Sequence, residues 1–245
     1  MSAAAGPEAS GSKAAGVRGA GLRGAGLRAA VLAGGPAPLT ARLEQALAGI
    51  DLVVAADAGI GLADALGLTP DLWVGDFDSA SDAQRRRYAA LPRREHPRDK
   101  DELDLELAIG AALEKGAGEL VLAGVFDGRL DQTLAALLIG SRLRAEGVAV
   151  RLFGGSHECH PLRAGDEAAL DLPDGTVFSL LSLKGDAVVD VRGARFELTA
   201  ARLPFGMGLG VSNRAAAAQA HPGGPHVRVR DGRVAAVIEW AERPS

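Results

Sequence analysis

Cysteine occurs once in 245 residues, aromatic residues make up only 4% of the chain, and no apolar run approaches the length that crosses a bilayer. A single thiol excludes a disulfide framework and fits a reducing cytoplasm. Few aromatics argue against stacking platforms for nucleic-acid bases. Charge of one sign is also lacking, with 31 acidic against 27 basic side chains and a net charge of -4. Neither a basic surface for nucleic acid nor one for a membrane is expected. The five histidines include the run His157-Glu158-Cys159-His160. Zinc is not expected there, because in a strand His160 faces away from His157 and Cys159, and no second soft cluster completes a tetrahedron.

Glycine, by contrast, is abundant, with 33 residues. Residues 1–28 are rich in Ala, Gly and Ser and carry arginine every fifth residue near their end, which fits neither helix nor strand. They read as a disordered extension or a start assigned too early. No apolar core of signal-peptide length stands in them. From residue 29 to about 155 short apolar runs alternate with helical patterns. Strands are predicted at 29–33, 51–56, 72–74, 119–123 and 148–153, with helices at 39–47, 60–66, 81–90, 105–115 and 133–145. Nearly continuous apolar strands separated by helices predict a mostly parallel sheet covered on both faces.

The most informative stretch is Leu72-Trp73-Val74-Gly75-Asp76-Phe77-Asp78-Ser79. A buried strand ends abruptly in two carboxylates, at the edge where open α/β sheets place ligands. Carboxylates brought together repel, and a hard cation such as magnesium would relieve them. The competing reading is a turn whose acids and serines cap the next helix. Other strand ends add Gly34 and Gly35, Asp57 and Gly59, and Arg129 with Asp131. Taken together they point to a site for nucleotide phosphates more strongly than any one of them does. A second acidic cluster, Asp99 to Asp104, leads into a helix. Asp101 and Asp104 would share its positive first turn, and Asp104, just before the apolar run, is the more pointed candidate. Arg129 offers a planar fork for phosphate oxygens, or else a salt bridge to Asp127 or Asp131.

From about residue 160 to 243 the pattern changes to short apolar runs between turns, including Asp174-Gly175 and the hairpin signal Asp231-Gly232. Strands are expected at 167–172, 176–183, 187–191, 195–198, 226–230 and 234–240, with 215–225 a loop. An antiparallel all-β domain of sandwich or jelly-roll type is the economical reading.

In order and spacing these features resemble the thiamine pyrophosphokinase family. Pro70-Asp71 with Gly75-Asp76-Phe77-Asp78-Ser79 matches its most specific motif, Lys100-Asp101-Glu102-Leu103-Asp104 is similar to Lys-Asp-x-Thr-Asp, and Gly124 to Gln132 is similar to Gly-x-x-Gly-Gly-Arg-x-Asp-His. Asp57-Ala58-Gly59 looks like a variant of a further strand end, and Gly210-Val211-Ser212-Asn213 stands where the thiamine-binding β domain is expected. Leu103, Asp127 and Gln132 depart from the family pattern, and no aromatic follows Ser212-Asn213 within residues 214–225. The resemblance implies transfer of diphosphate from ATP to the hydroxyl of thiamine, with magnesium held by Asp76, Asp78 and Asp104. It implies Asp101, Gly128, Arg129 and Gln132 near the nucleotide, Asp131 as orienter or base, Ser212 and Asn213 at thiamine, and a homodimer. Three alternatives stay open: pyrophosphokinase chemistry on another alcohol such as a pterin, a non-catalytic thiamine or nucleotide sensor, and a phosphatase using Asp76 and Asp78.

Overall fold

The computed structural model describes residues 26–99, 101–216 and 223–240. Ten strands form one sheet. Its parallel part contains β1 (Leu27–Leu32), β2 (Leu52–Ala56), β3 (Leu72–Gly75), β4 (Arg93–Glu95), β5 (Ala117–Ala123) and β6 (Ala149–Gly154). Their spatial order is β6-β5-β1-β2-β3-β4, and every neighbouring pair is parallel. The period of two along β1 explains its place at the centre. Ala29 and Val31 face one hydrophobic layer, Ala30 and Leu32 the other. The first layer is closed by α4 (Asp104–Glu114) and α5 (Leu130–Ala145), through Ile109, Ile139 and Leu143. The second is closed by α1 (Ala41–Leu47) and α2 (Ile60–Ala65), through Leu43, Leu47 and Ala63. Burying each such leucine or isoleucine contributes about 1.5–3 kcal/mol.

Capping sets where the shorter helices start. Thr40 Oγ1 accepts from Leu43 N at the start of α1. Ser81 and Gln84 form a reciprocal capping box at α3 (Asp82–Arg87). The three arginines 85–87 cluster in the last turn of α3, which buries none of its residues.

The sheet does not stop at the expected junction near residues 155–160. There β7 (His157–Arg163) turns back antiparallel on β6, and β14 (Arg233–Glu239), β9 (Val177–Ser182) and β12 (Asn213–Arg214) continue the same sheet. A second sheet, ordered β11-β10-β13-β8, comprises β8 (Glu167–Ala169), β10 (Ala187–Arg192), β11 (Leu198–Leu203) and β13 (His226–Asp231). It packs on the antiparallel half, giving the C-terminal sandwich. Strand β14 shows how one strand serves both halves. Val234, Ala236 and Ile238 enter the sandwich core, whereas Ala235 and Val237 join the layer under α5.

Two groups of buried charges fasten the halves. Arg144 on α5 donates to Asp166 at 2.5 and 2.7 Å, both side chains nearly sealed from solvent. Arg42 on α1 donates twice to Glu158 at 3.1 and 3.2 Å, and the His160 ring lies 2.6 Å from the same carboxylate. Burial would raise the Glu158 carboxyl, but His160 and Arg42 outweigh it and hold it at about 2. The histidine run is thus part of this network: Glu158 and His160 share one face of β7, and Cys159 is buried on the other.

Three expectations are corrected. Leu27 and Arg28 belong to β1, so the ordered chain begins before residue 29; Leu27 N donates to Gly116 O at 3.1 Å. Helix α5 starts at Leu130, not Thr133. The strand expected at 195–198 lies instead at 198–203, because the Phe196 backbone is bonded to the Asn213 side chain. Most of the loop expected at 215–225 and most of the extension 1–28 fall outside the described residues.

Candidate active site

The C-terminal ends of β1, β2, β3 and β5 open onto a cleft of about 540 Å³, a size suited to a small-molecule ligand. Its walls carry Gly34, Gly35, Asp57, Asp76, Asp78, Arg98, Asp104, Gly128, Arg129 and Gln132, among others.

The acidic side is built from the strand ends inward. Trp73 is fully buried in β3, and its Nε1 donates to the backbone oxygen of Asp57 at 2.9 Å. Phe77 packs edge-on against Trp73 with ring centroids 4.8 Å apart, and the Arg93 guanidinium lies over both rings. Anchoring the phenylalanine inward leaves the carboxylates on either side of it to face out. Phe77 adopts a left-handed φ of 62°, and Asp57 one of 39°, backbone states that cost energy and concentrate at functional sites. Asp78 N donates to Asp76 Oδ1 at 3.0 Å, which closes the turn. Gly75 is required here. Its φ is 150°, and a Cβ would lie 3.0 Å from Asp57 Cβ.

Asp57, Asp76 and Asp78 each bring a carboxylate oxygen to within 4.8 Å of the others. Asp57 is buried, and its Oδ1 has no hydrogen-bond partner. Burial raises its carboxyl above the usual range. Ser79 opposes the shift, while Asp104 and Asp76 add repulsion. A buried, unsatisfied oxygen among converging carboxylates fits a hard cation. This group joins Asp57 to the expected Asp76 and Asp78, while Asp104, the first residue of α4, lies on the same cleft wall outside the close group. Sequence reasoning placed Asp57 with the nucleotide, as one of several strand ends that carry glycines and charges. Adjacency of β2 and β3 in the sheet brings it in.

The basic side comes from the β5–α5 loop. Arg129 precedes α5 and donates through Nε and Nη2 to Asp131 at 3.1 and 2.6 Å. That fork holds the exposed Asp131 carboxyl below its ordinary value. Arg98 was not foreseen; it ion-pairs with Asp78 at 2.5 Å from an exposed loop that carries no pattern of its own. Asp101 is exposed, Gly59 is buried, and neither lines the cleft. A Cβ on Gly59 would stand 1.9 Å from Leu32 O, so this glycine serves packing. Lys100 falls outside the described residues.

Ser212 and Asn213 do not reach this cleft within one chain. Asn213 sits at β12, six strands away from β1, roughly 29 Å at about 4.8 Å per step. Its side chain is committed to Phe196, accepting from the backbone N at 3.1 Å and donating to the backbone O at 2.8 Å. Ser212 is exposed at φ 61°, its N–H donated to Ser179 Oγ at 3.1 Å.

Residues 43–152 match the family described as thiamin pyrophosphokinase, catalytic domain. A thiamine pyrophosphokinase of Bacillus subtilis is 32% identical over 126 residues, 50% of this chain and 58% of that protein's length. The solved thiamine pyrophosphokinase from Bacillus subtilis superposes with a TM-score of 0.73 at 22% identity, covering 88% of this chain and all of its own. That from Candida albicans gives 0.68 at 15% identity over 86% and 90% of the two chains. At such identities the superpositions speak for the fold, including the C-terminal sandwich. The matched segment takes in every acidic and basic group lining the cleft, so the chain is similar to the thiamin pyrophosphokinase catalytic domain where its site lies.

Proposed function

We propose that the protein transfers a diphosphoryl group from ATP to the hydroxyl of thiamine, giving thiamine diphosphate and AMP. The observation that carries this reading is the pairing in one cleft of the Asp57–Asp76–Asp78 group with the Arg129 loop, all of them within the segment matched to the catalytic domain. Magnesium held by those three carboxylates would supply charge to the phosphate oxygens. The thiamine hydroxyl oxygen bonds to the β-phosphorus of ATP as the bond from that phosphorus to the α-β bridging oxygen breaks; AMP leaves, and the hydroxyl proton passes to water. Arg129 offers phosphate oxygens its planar fork once it releases Asp131. Asp131, with its carboxyl lowered by that arginine, is a poor base and suits the role of orienting it. Gly34 and Gly35 allow close approach, and Gly35 N is already donated to Gly124 O at 2.9 Å. Product analysis tests the reading: AMP and thiamine diphosphate are expected only with Mg²⁺. Folded, metal-loaded protein that yields neither overturns it.

We infer further that two copies share each site, with the exposed Ser212 turn serving the partner's cleft and Asn213 holding that turn through the Phe196 backbone. Two exposed apolar patches support this. Leu130, Leu134 and Leu138 line one face of α5 beside the cleft, and Phe205, Met207, Leu209 and Val211 precede Ser212. Contact between unlike patches, repeated by a twofold axis, would cover both. Mixing Asp76→Asn chains with chains carrying Ser212→Ala and Asn213→Ala should restore activity in hybrid dimers. Failure despite proven subunit exchange would place the whole site in one chain.

A further inference from the structure

The loop that carries Arg129 is held at its base by backbone bonds: Gly124 N and Val125 N both donate to Phe153 O, at 2.9 and 3.2 Å. Phe126 is buried against the turn between β6 and β7, so closely that a Cβ on Gly154 would lie 2.5 Å from Phe126 N. Beyond Phe126 the chain emerges into solvent and must reverse to reach α5. It does so at Asp127, in the left-handed region at φ 58°, which aspartate tolerates better than most residues. The Asp127 carboxylate is not aimed at the neighbouring Arg129. It turns back onto the β6–β7 turn, where Oδ2 accepts from Ser156 N at 3.2 Å and lies 3.4 Å from His157 Nδ1. The turn is shaped to receive it. Gly155 has φ 51°, and a Cβ there would stand 1.6 Å from Asp127 Oδ2. The same turn reaches the first phosphate-side loop, since Gly155 N donates to Pro36 O at 2.9 Å.

We propose that Asp127 is a positioning residue, braced in the recess left by Gly155, which fixes the exit of the β5–α5 loop and so the stand of Arg129 over the cleft. This rests on the phosphoryl-transfer reading for its kinetic consequence but not for its structural one. The brace ties three loops, after β1, β5 and β6, into one platform under the nucleotide. A loop left free at Asp127 would spread the guanidinium over many positions, and phosphate binding would bear the cost of ordering it.

The test compares Asp127→Gly, which keeps the left-handed backbone but loses the carboxylate, with Asp127→Asn, which keeps both the backbone preference and one acceptor oxygen. Asp127→Gly should raise KM for ATP about tenfold, the loss of one buttressing charge-assisted bond, with kcat changed by no more than about twofold. Asp127→Asn should recover most of it. Amide exchange across residues 126–130 should quicken in Asp127→Gly and stay slow in Asp127→Asn. Gly155→Ala, which fills the recess, should reproduce the Asp127→Gly exchange, and the double variant should be no worse than the worse single one. Wild-type KM and exchange in Asp127→Gly, or an Asn variant indistinguishable from the Gly variant, would overturn the brace. If the wild-type protein forms no thiamine diphosphate, the functional reading alone falls, and exchange and the double-variant comparison still decide the brace.

Discussion

The two halves of the ten-stranded sheet treat charge in opposite ways. In the antiparallel half, charges are buried with their partners: Arg144 with Asp166, and Arg42 and His160 with Glu158. In the parallel half, like charges are driven together at the strand ends, the Asp57 carboxyl is pushed upward, and one of its oxygens is left without a donor. At Asp57 and Phe77 positive φ values hold the acids in place. One half sets opposite charges against each other, with only His160 Nδ1 among these charged groups left without a partner, whereas the other gathers like charges at the mouth of a cleft. Buried charge therefore indicates a site only where its balance is incomplete.

The contrast can be broken most forcefully from the structural side. Asp166→Ala removes the buried carboxylate that Arg144 binds twice and also takes an acceptor from Arg163 N. A loss of about 3–5 kcal/mol is expected, seen in chemical denaturation, since orphaning one member of a buried pair costs about that much. A loss below about 1 kcal/mol would mean that the pair is no more than a surface contact.

Somewhat smaller in free energy, but confined to activity, is the effect at the strand ends. Asp76→Asn and Asp78→Asn should each lower kcat by about 10²–10³ with little change in Tm, while the exposed Asp101→Asn should be mild. Asp57→Asn sharpens the comparison further. It should cut activity yet raise Tm of the metal-free protein by about 2–4 °C, because it removes a charge that burial and its neighbours disfavour. A fall in Tm would place Asp57 with the structural charges instead.

The smallest effect is one of pH. Glu158, held at about 2 against 4.5 for a free carboxyl, contributes stability that is fully present above about pH 4.5 and is lost as pH falls toward 2. Glu158→Gln should flatten this acid limb of a Tm profile. An unchanged limb would show that other carboxylates govern it.

Much of this was legible in the sequence, for reasons that differ by region. The parallel strands and the Asp76-Phe77-Asp78 turn declare themselves because burial on both faces forces unbroken apolar runs, and a strand end is where those runs stop. Local pattern fails where tertiary bonds replace it. Asn213 reads as a ligand residue, yet its amide is spent on the Phe196 backbone, and that bond also displaced a strand by three residues. Asp57 joined the acidic group only through the lateral order of β2 and β3, which no spacing along the chain encodes. Leu130, exposed and three residues ahead of the expected start, is in α5 because Arg129 O accepts from Thr133 N at 3.0 Å.

The unbroken sheet has a mechanical consequence. Two bodies joined by a linker can swing together over a substrate, but here β6 and β7 are hydrogen-bonded neighbours at the place where a joint would have to be. Opening such a joint would tear the ladder and expose the layer that β14 shares between the halves. The molecule is therefore a rigid beam, with the cleft near one end and Ser212 near the other. A hinge between the halves is therefore not what closes over that cleft, and heating should melt the beam in a single transition.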